Sequence, residues 1–215
     1  QLEREGYRLE GNVFVRGSER WLPLYEAKMV HQFDHRFGDY AMQRPGSRDT
    51  QLPEVPLDRL ADPDYRVLPR YWVPEAEVES RLKAKGWDRG WLLGWRRIAR
   101  STDERTVIAT VVPRVGAGDN LFLFLARHSD TWLAPAVLAA IVLDFCARQK
   151  LGGTNLNFYL FEQLPFLVPQ EVEKPCPWSP VQPLADWLRP RVLELTYTAW
   201  DLAPFARDLG YEGPP

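Results

Sequence analysis

Residues 91–113 read WLLGWRRIARSTDERTVIATVVP. The runs 91–99 and 106–113 are rich in tryptophan, leucine, isoleucine and valine, residues that suit a pleated, buried surface. RSTDER (100–105) between them is wholly polar, so the stretch predicts two strands joined by a basic turn. A third run, LFLFLA (121–126), follows the glycine-bearing VGAGDN (115–120). Together the three runs predict an antiparallel β-meander.

Working outward, the apolar stretch after 131 predicts a buried helix over about 134–148, with Pro135 tolerated in its first turn. It ends in ARQKLGGTNLNFYLFEQLP (147–165). Arg148, Gln149 and Lys150 followed by Gly152-Gly153 and Thr154 admit two readings. One is a cationic last turn with a glycine cap. The other is a loop facing a ligand. LNFYLF (156–161) predicts a further strand, and a proline-rich connector leads to a helical tail broken at Pro190 and Pro204. Upstream, PEAEVESRLKAKG (74–86) predicts a helix: Pro74 opens it, acids precede bases, and Gly86 stops it. The prolines across 41–69 predict an extended arm. Residues 13–24 read as short extended pieces, while Met29, Phe33, Phe37 and Tyr40 have helical spacing. The fold class is α/β in the mixed α+β sense: a twisted, mostly antiparallel sheet on a buried helix, with a helical tail. Residues 1–170 form the main domain and 171–215 the connector and tail.

Composition narrows the function. A hydrophobic share of 45% and a charged share of 26% over 215 residues are ordinary for a soluble globular protein. Cys146 and Cys176 lack metal-like spacing, which points to a reduced, cytoplasmic protein. No leader is visible, and the apolar run 132–143 is too short to span a bilayer. A start at Gln1 and an end at Pro214-Pro215 read as a segment of a longer chain. The net charge of −2 resolves into −2 over 1–69, +4 over 70–150 and −4 over 151–215. A polyanion would therefore sit on the middle third.

Catalytic signals are sparse. There is no phosphate loop, and GAG at 116–118 lies in a turn. His31 and His35, four residues apart with Asp34 between them, resemble a metal pair if helical, with His128 a distant third ligand. Glu26-Ala27-Lys28 has the spacing of a magnesium-dependent nuclease, and Asp34 would add a carboxylate. Trp87, Trp91 and Trp95 offer a third reading, a protein-docking surface. The strongest constellation is non-catalytic: Arg96, Arg97, Arg100 and Arg105 surround Ser101, Thr102 and Thr106. Such a turn can enter a major groove, where arginine bonds guanine edges. The alternative is a solvated hairpin whose Asp103 and Glu104 neutralise its own arginines.

Four segments taken together carry a resemblance: WLPLYEAKMVHQFDHRF (21–37), YWVPEAEV (71–78), RRIARSTDERTVIATVVPR (96–114) and ARQKLGGTNLNFYLFEQLP (147–165). From about residue 20 to 212 the chain resembles the C-terminal region of large bacterial adenine-specific DNA methyltransferases of type II restriction–modification and phage-defence systems. In that family this region is the target recognition domain. The family's catalytic Asn-Pro-Pro-Tyr or Phe and its glycine-rich cofactor loop do not occur here, and NFYL (157–160) lacks the prolines. The resemblance therefore implies a DNA reader with no catalytic, metal or cofactor group of its own. The S-adenosylmethionine site and methyl transfer are expected upstream of Gln1, in the same polypeptide. The partners it implies are double-stranded DNA and that methyltransferase domain, with no membrane. The candidate DNA contacts are Lys28, Arg97, Arg100, Thr102, Arg105, Arg148, Lys150, Gly152, Gly153 and Thr154.

Overall fold

Two tight turns start the chain's first sheet. The strands β1 (Arg8–Glu10), β2 (Val13–Arg16) and β3 (Glu19–Tyr25) pair antiparallel, with Glu10 opposite Val13 and Arg16 opposite Glu19. Each hairpin leaves two loop residues, and Gly11 (φ 61°) and Gly17 (φ 60°) supply the positive φ that such turns require. The computed structural model describes residues 1–47, 49–126, 129–167 and 169–215. Among the described residues the proline-rich arm contains the end of a 3-10 turn (Tyr40–Met42) and the one-turn helix α1 (Leu57–Leu60) before β4 (Trp72–Pro74) returns to β3. The predicted helix follows as α2 (Glu75–Ala84), with Glu75 and Glu77 in its first turn, Arg81 and Lys83 in its last, and Gly86 at φ 71° beyond it.

The second sheet holds β5 (Trp91–Arg96) between β6 (Ala109–Pro113) and β8 (Leu121–Leu123), both antiparallel to it. A meander would set the third strand beside β6. Instead it returns to β5, because the chain first leaves the sheet to form β7 (Gly116–Ala117), parallel to β3. Only glycine permits that crossing: a Cβ on Gly116 would lie 2.6 Å from Val73 Cγ2. β7 thus joins the two sheets. Trp91 (0% exposed), Trp95 (1%) and Trp87 are core residues, so the three tryptophans form no docking surface. Their ring N–H groups donate to Asp208 Oδ2, the Leu156 carbonyl and the Trp91 carbonyl respectively.

Three further expectations are corrected. The apolar helix is two helices, α3 (Ala134–Ala139) and α4 (Ile141–Lys150), bent by 71° at Ala140. Only α3 is largely buried; α4 turns Ile141, Val142 and Phe145 outward. LNFYLF is not a strand but the short helix α5 (Phe158–Phe161). Helical spacing brings Phe158 and Phe161 onto Trp95, at centroid distances of 5.2 and 3.9 Å. Phe158 also stacks on Phe122 at 4.3 Å. This aromatic contact outweighs the local strand preference. After α6 (Pro169–Val172) and the hairpin β9 (Pro175–Cys176) and β10 (Ser179–Pro183), helix α7 (Leu184–Thr196) runs through Pro190 rather than breaking there. The last helix, α8 (Ala203–Asp208), carries Pro204 in its first turn, where the missing N–H is harmless. The protein is a mixed α/β fold, and among the described residues no single helix is long and apolar enough to cross a membrane.

The tail is clasped to the long connection between β3 and β4. Asp201 Oδ1 lies 2.9 Å from His35 Nε2, and its Oδ2 lies 3.4 Å from Arg66 Nε. The buried Arg36 donates to the carbonyls of Leu60, Asp62 and Thr198. Burial alone would raise the Asp201 carboxyl, but His35, Arg66 and Arg36 more than offset it and hold it below the usual carboxylate value. A carboxyl lowered in the folded state contributes stability above its unfolded pKa, near 3.9, and loses it as pH falls through the folded value. Asp201→Ala should therefore destabilise the protein by about 3 kcal/mol at neutral pH. In acid titrations followed by urea unfolding, the variant should lose less stability below about pH 4 than the parent does.

Candidate nucleic-acid interface

The connection 97–108 between β5 and β6 is no tight hairpin turn. Its first part is extended and pairs with the segment after α4. Ala99 N–H donates to the Thr154 carbonyl (3.1 Å), Leu156 N–H donates to the Arg97 carbonyl (2.7 Å), and Ile98 bridges Asn155. Sequence positions some fifty residues apart, both expected to face DNA, are therefore neighbours. Residues 100–105 then form a compact loop in which Arg100 N–H donates to Asp103 Oδ2 and Asp103 N–H to the Arg100 carbonyl.

The loop is held from beneath by α4. Asp144, 5% exposed, accepts the N–H groups of Thr106 (2.9 Å) and Val107 (2.7 Å). Arg148, one turn on, donates to the carbonyls of Ser101, Asp103 and Glu104 at 2.9–3.0 Å, and lies 3.3 Å from Asp144. Arg105 turns inward too. Its Nη2 donates to the Ala139 carbonyl (2.7 Å) at the break between α3 and α4, and its Nε lies 3.7 Å from Asp144. Arg97 pairs with Asp119 at 3.1 Å and lies over the Phe122 ring.

Arg100 and Thr102 point the other way. Both are exposed, and the Arg100 guanidinium has no hydrogen-bond or ion-pair partner among the described residues. Lys150 is exposed and reaches Gln163 Oε1 at 3.3 Å. Helix α4 ends on Leu151 (φ −80°), so glycine is not its cap. Neither Gly152 nor Gly153 has a positive φ, and a Cβ on either would meet no atom within 4 Å. The fold itself makes no demand for glycine there. Both glycines and Thr154 lie exposed beside the basic loop.

Arg100 also borders a cleft of about 630 Å³ with Lys28, Arg70, Arg96, Tyr71, Ile98, Gln51 and Asn120 among its lining residues. Lys28 lies 3.6 Å from Glu26 and over the Tyr40 ring, while Tyr40 donates to Glu26. Arg96 donates from Nε to the Val30 carbonyl at 2.8 Å, and burial pushes its guanidinium below the usual value. Sequence reasoning missed Arg70, Tyr71, Gln51 and Asn120. They come from the irregular arm and a β-turn, where no periodicity marks a side chain as facing a site.

Among the described residues the metal candidates do not come together, while Glu26 and Lys28 of the nuclease reading remain an ion pair at 3.6 Å. His31–Asp34 is a turn with Phe33 at φ 62°, so the helical His pair does not form. His31 packs on Phe37, and its imidazole is lowered by burial and then by Arg96. His35 belongs to the Asp201 clasp, Asp34 accepts the Arg36 N–H, and His128 lies outside the described residues. No group of three or more histidine, cysteine, aspartate or glutamate side chains among the described residues is placed to hold a metal.

Comparison with family models, curated proteins and solved structures finds no match to this chain. The geometry assigns distinct work to the loop cations. Asp144→Ala, which strands Arg105 and Arg148 beside two unpaired N–H groups, should lower stability by about 3 kcal/mol. Hydrogen exchange should show the Thr106 and Val107 amides losing protection before β5 does. Arg100→Ala should stay within about 0.5 kcal/mol of the parent.

Proposed function

We propose that this chain is a sequence-specific double-stranded DNA recognition domain that positions a separate N6-adenine methyltransferase domain. The observation carrying the reading is the division among the arginines of one loop. Arg148 and Arg105 tie the loop to α3 and α4, leaving Arg100 exposed, its guanidinium unpaired among the described residues and lining a cleft shared with Lys28 and Arg70. A preorganised loop with a free guanidinium is suited to a bidentate contact with guanine. Gly152 and Gly153, exposed beside it with no internal need for glycine, leave room for a phosphate backbone to approach closely. Lys150, on the same side, suits a phosphate better than a base. The methyltransferase partner and its S-adenosylmethionine follow from the resemblance of the four segments described above.

The inward orientation of Arg105 and Arg148 gives them a holding role rather than a reading one. Binding is expected to be weak for a detached reader, with Kd of roughly 1–100 μM at physiological salt and falling affinity as salt rises. Selection from a random duplex pool should enrich a defined sequence. Arg100→Ala should cost about 1–3 kcal/mol and relax preference at one base position, whereas Lys150→Ala should weaken all sequences alike and reduce the salt slope by about one unit. An unenriched pool, or affinity independent of salt, would overturn the reading. Incubated with S-adenosylmethionine and duplex DNA, the chain alone should transfer no methyl group above a protein-free blank.

A further inference from the structure

The cleft beside Arg100 has a shape and chemistry that duplex recognition leaves unused. At about 630 Å³ it falls within the span of small-ligand pockets, roughly 300–1,000 Å³, and it is too confined for a double helix. Three kinds of group line it. Arg70 has no hydrogen-bond or ion-pair partner among the described residues, and its guanidinium lies 5.3 Å from the Tyr71 ring centroid. Lys28 adds a second cation, part-neutralised by Glu26. The other cleft carboxylate, Asp119, is taken up by Arg97. Tyr71 is 52% exposed and Ile98 53%, so an aromatic face and an aliphatic side chain are open to the cleft. The side-chain amides of Gln51 and Asn120 form no hydrogen bond among the described residues. Cation, exposed ring and free amides are what a phosphate, a base face and a base edge require.

We propose that this cleft binds a single nucleotide, with its phosphate on Arg70 and Lys28, its base against Tyr71 and Ile98, and its base edge at Gln51 and Asn120. The nucleotide is either one swung out of a DNA strand or a free one. The strand source rests on the DNA-recognition reading, and the free source does not. An extruded nucleotide would also bring its strand against Arg100, which lines the cleft and whose guanidinium has no partner among the described residues.

The intact chain is titrated with the four deoxynucleoside 5′-monophosphates, the matching nucleosides and inorganic phosphate. It is titrated separately with its selected duplex carrying 2-aminopurine at each position in turn. At least one nucleotide should bind about tenfold more tightly than either its nucleoside or phosphate. Tyr71→Ala should weaken that nucleotide at least fivefold. Arg70→Ala should weaken the nucleotide while leaving the nucleoside unchanged. Brightening of 2-aminopurine at one position, abolished by Tyr71→Ala without loss of duplex retention, identifies the strand as source. Nucleotide binding with silent 2-aminopurine identifies the free nucleotide. Phosphate binding as tightly as every nucleotide, or Tyr71→Ala leaving both nucleotide affinity and fluorescence untouched, overturns the proposal even if the duplex is still selected. Nucleotide binding that survives while no duplex is selected overturns the recognition reading and leaves the cleft's chemistry standing.

Discussion

Asp144 organises the side of the molecule that carries the basic loop. A buried carboxylate is costly unless paired and hydrogen-bonded. Here it accepts the two N–H groups that lead into β6 and sits within reach of Arg105 and Arg148. Those arginines in turn bond the Ala139 carbonyl and three loop carbonyls. One acidic side chain thus links the break between α3 and α4, the entry to β6 and the loop above them. The loop's shape follows from α4 as much as from its own residues.

This linkage explains how the basic loop, among the described residues, turns Arg105 and Arg148 to internal partners and leaves the Arg100 guanidinium without one. The positive charge of the middle third is largely spent within the fold, on Asp144, Asp119, Glu79 and backbone carbonyls. What remains outward is specific in position rather than large in sum. On the DNA-recognition reading proposed above, such a surface would give modest non-specific attraction and leave discrimination to a small number of directed contacts. On that reading, the proposed methyltransferase partner would make such an affinity sufficient, because a tether raises effective concentration.

The C-terminal tail acts as a second constraint. Asp201 and Asp208 bring α8 and the turn before it against His35, Arg66, Arg89 and Trp91, and Trp91 also packs edge-on against Phe205. The tail therefore closes over the same core that supports β5, the strand from which the basic loop springs. Helix α4, by contrast, leaves Ile141, Val142 and Phe145 uncovered on the face turned from the core.

Much of the local structure was legible in the residues themselves. The short extended pieces over 13–24 are strands, and the positive φ of Gly11 and Gly17 supplies the turns beside them. The acid-to-base order of 75–83 and Gly86 bound α2, and the apolar run at 91–95 marks a strand buried on both faces. The Arg-rich segment 96–105 was visible as the place to look. Nothing local revealed which of its arginines face outward, because Arg105 and Arg148 are claimed by carbonyls and a carboxylate more than thirty residues away or on another element. LNFYLF had the composition of a strand, yet Trp95 stacks Phe161 and draws the segment into a helical turn. The cleft is the furthest from sequence, since it gathers Lys28, Gln51, Arg70, Arg100 and Asn120 from four separate connections. By itself the sequence determined the limits of α2 and the core strand β5, which depend on neighbours along the chain. Tertiary structure alone decided which cations hold the fold and which stay free, because that depends on partners brought close only when the sheets and helices pack.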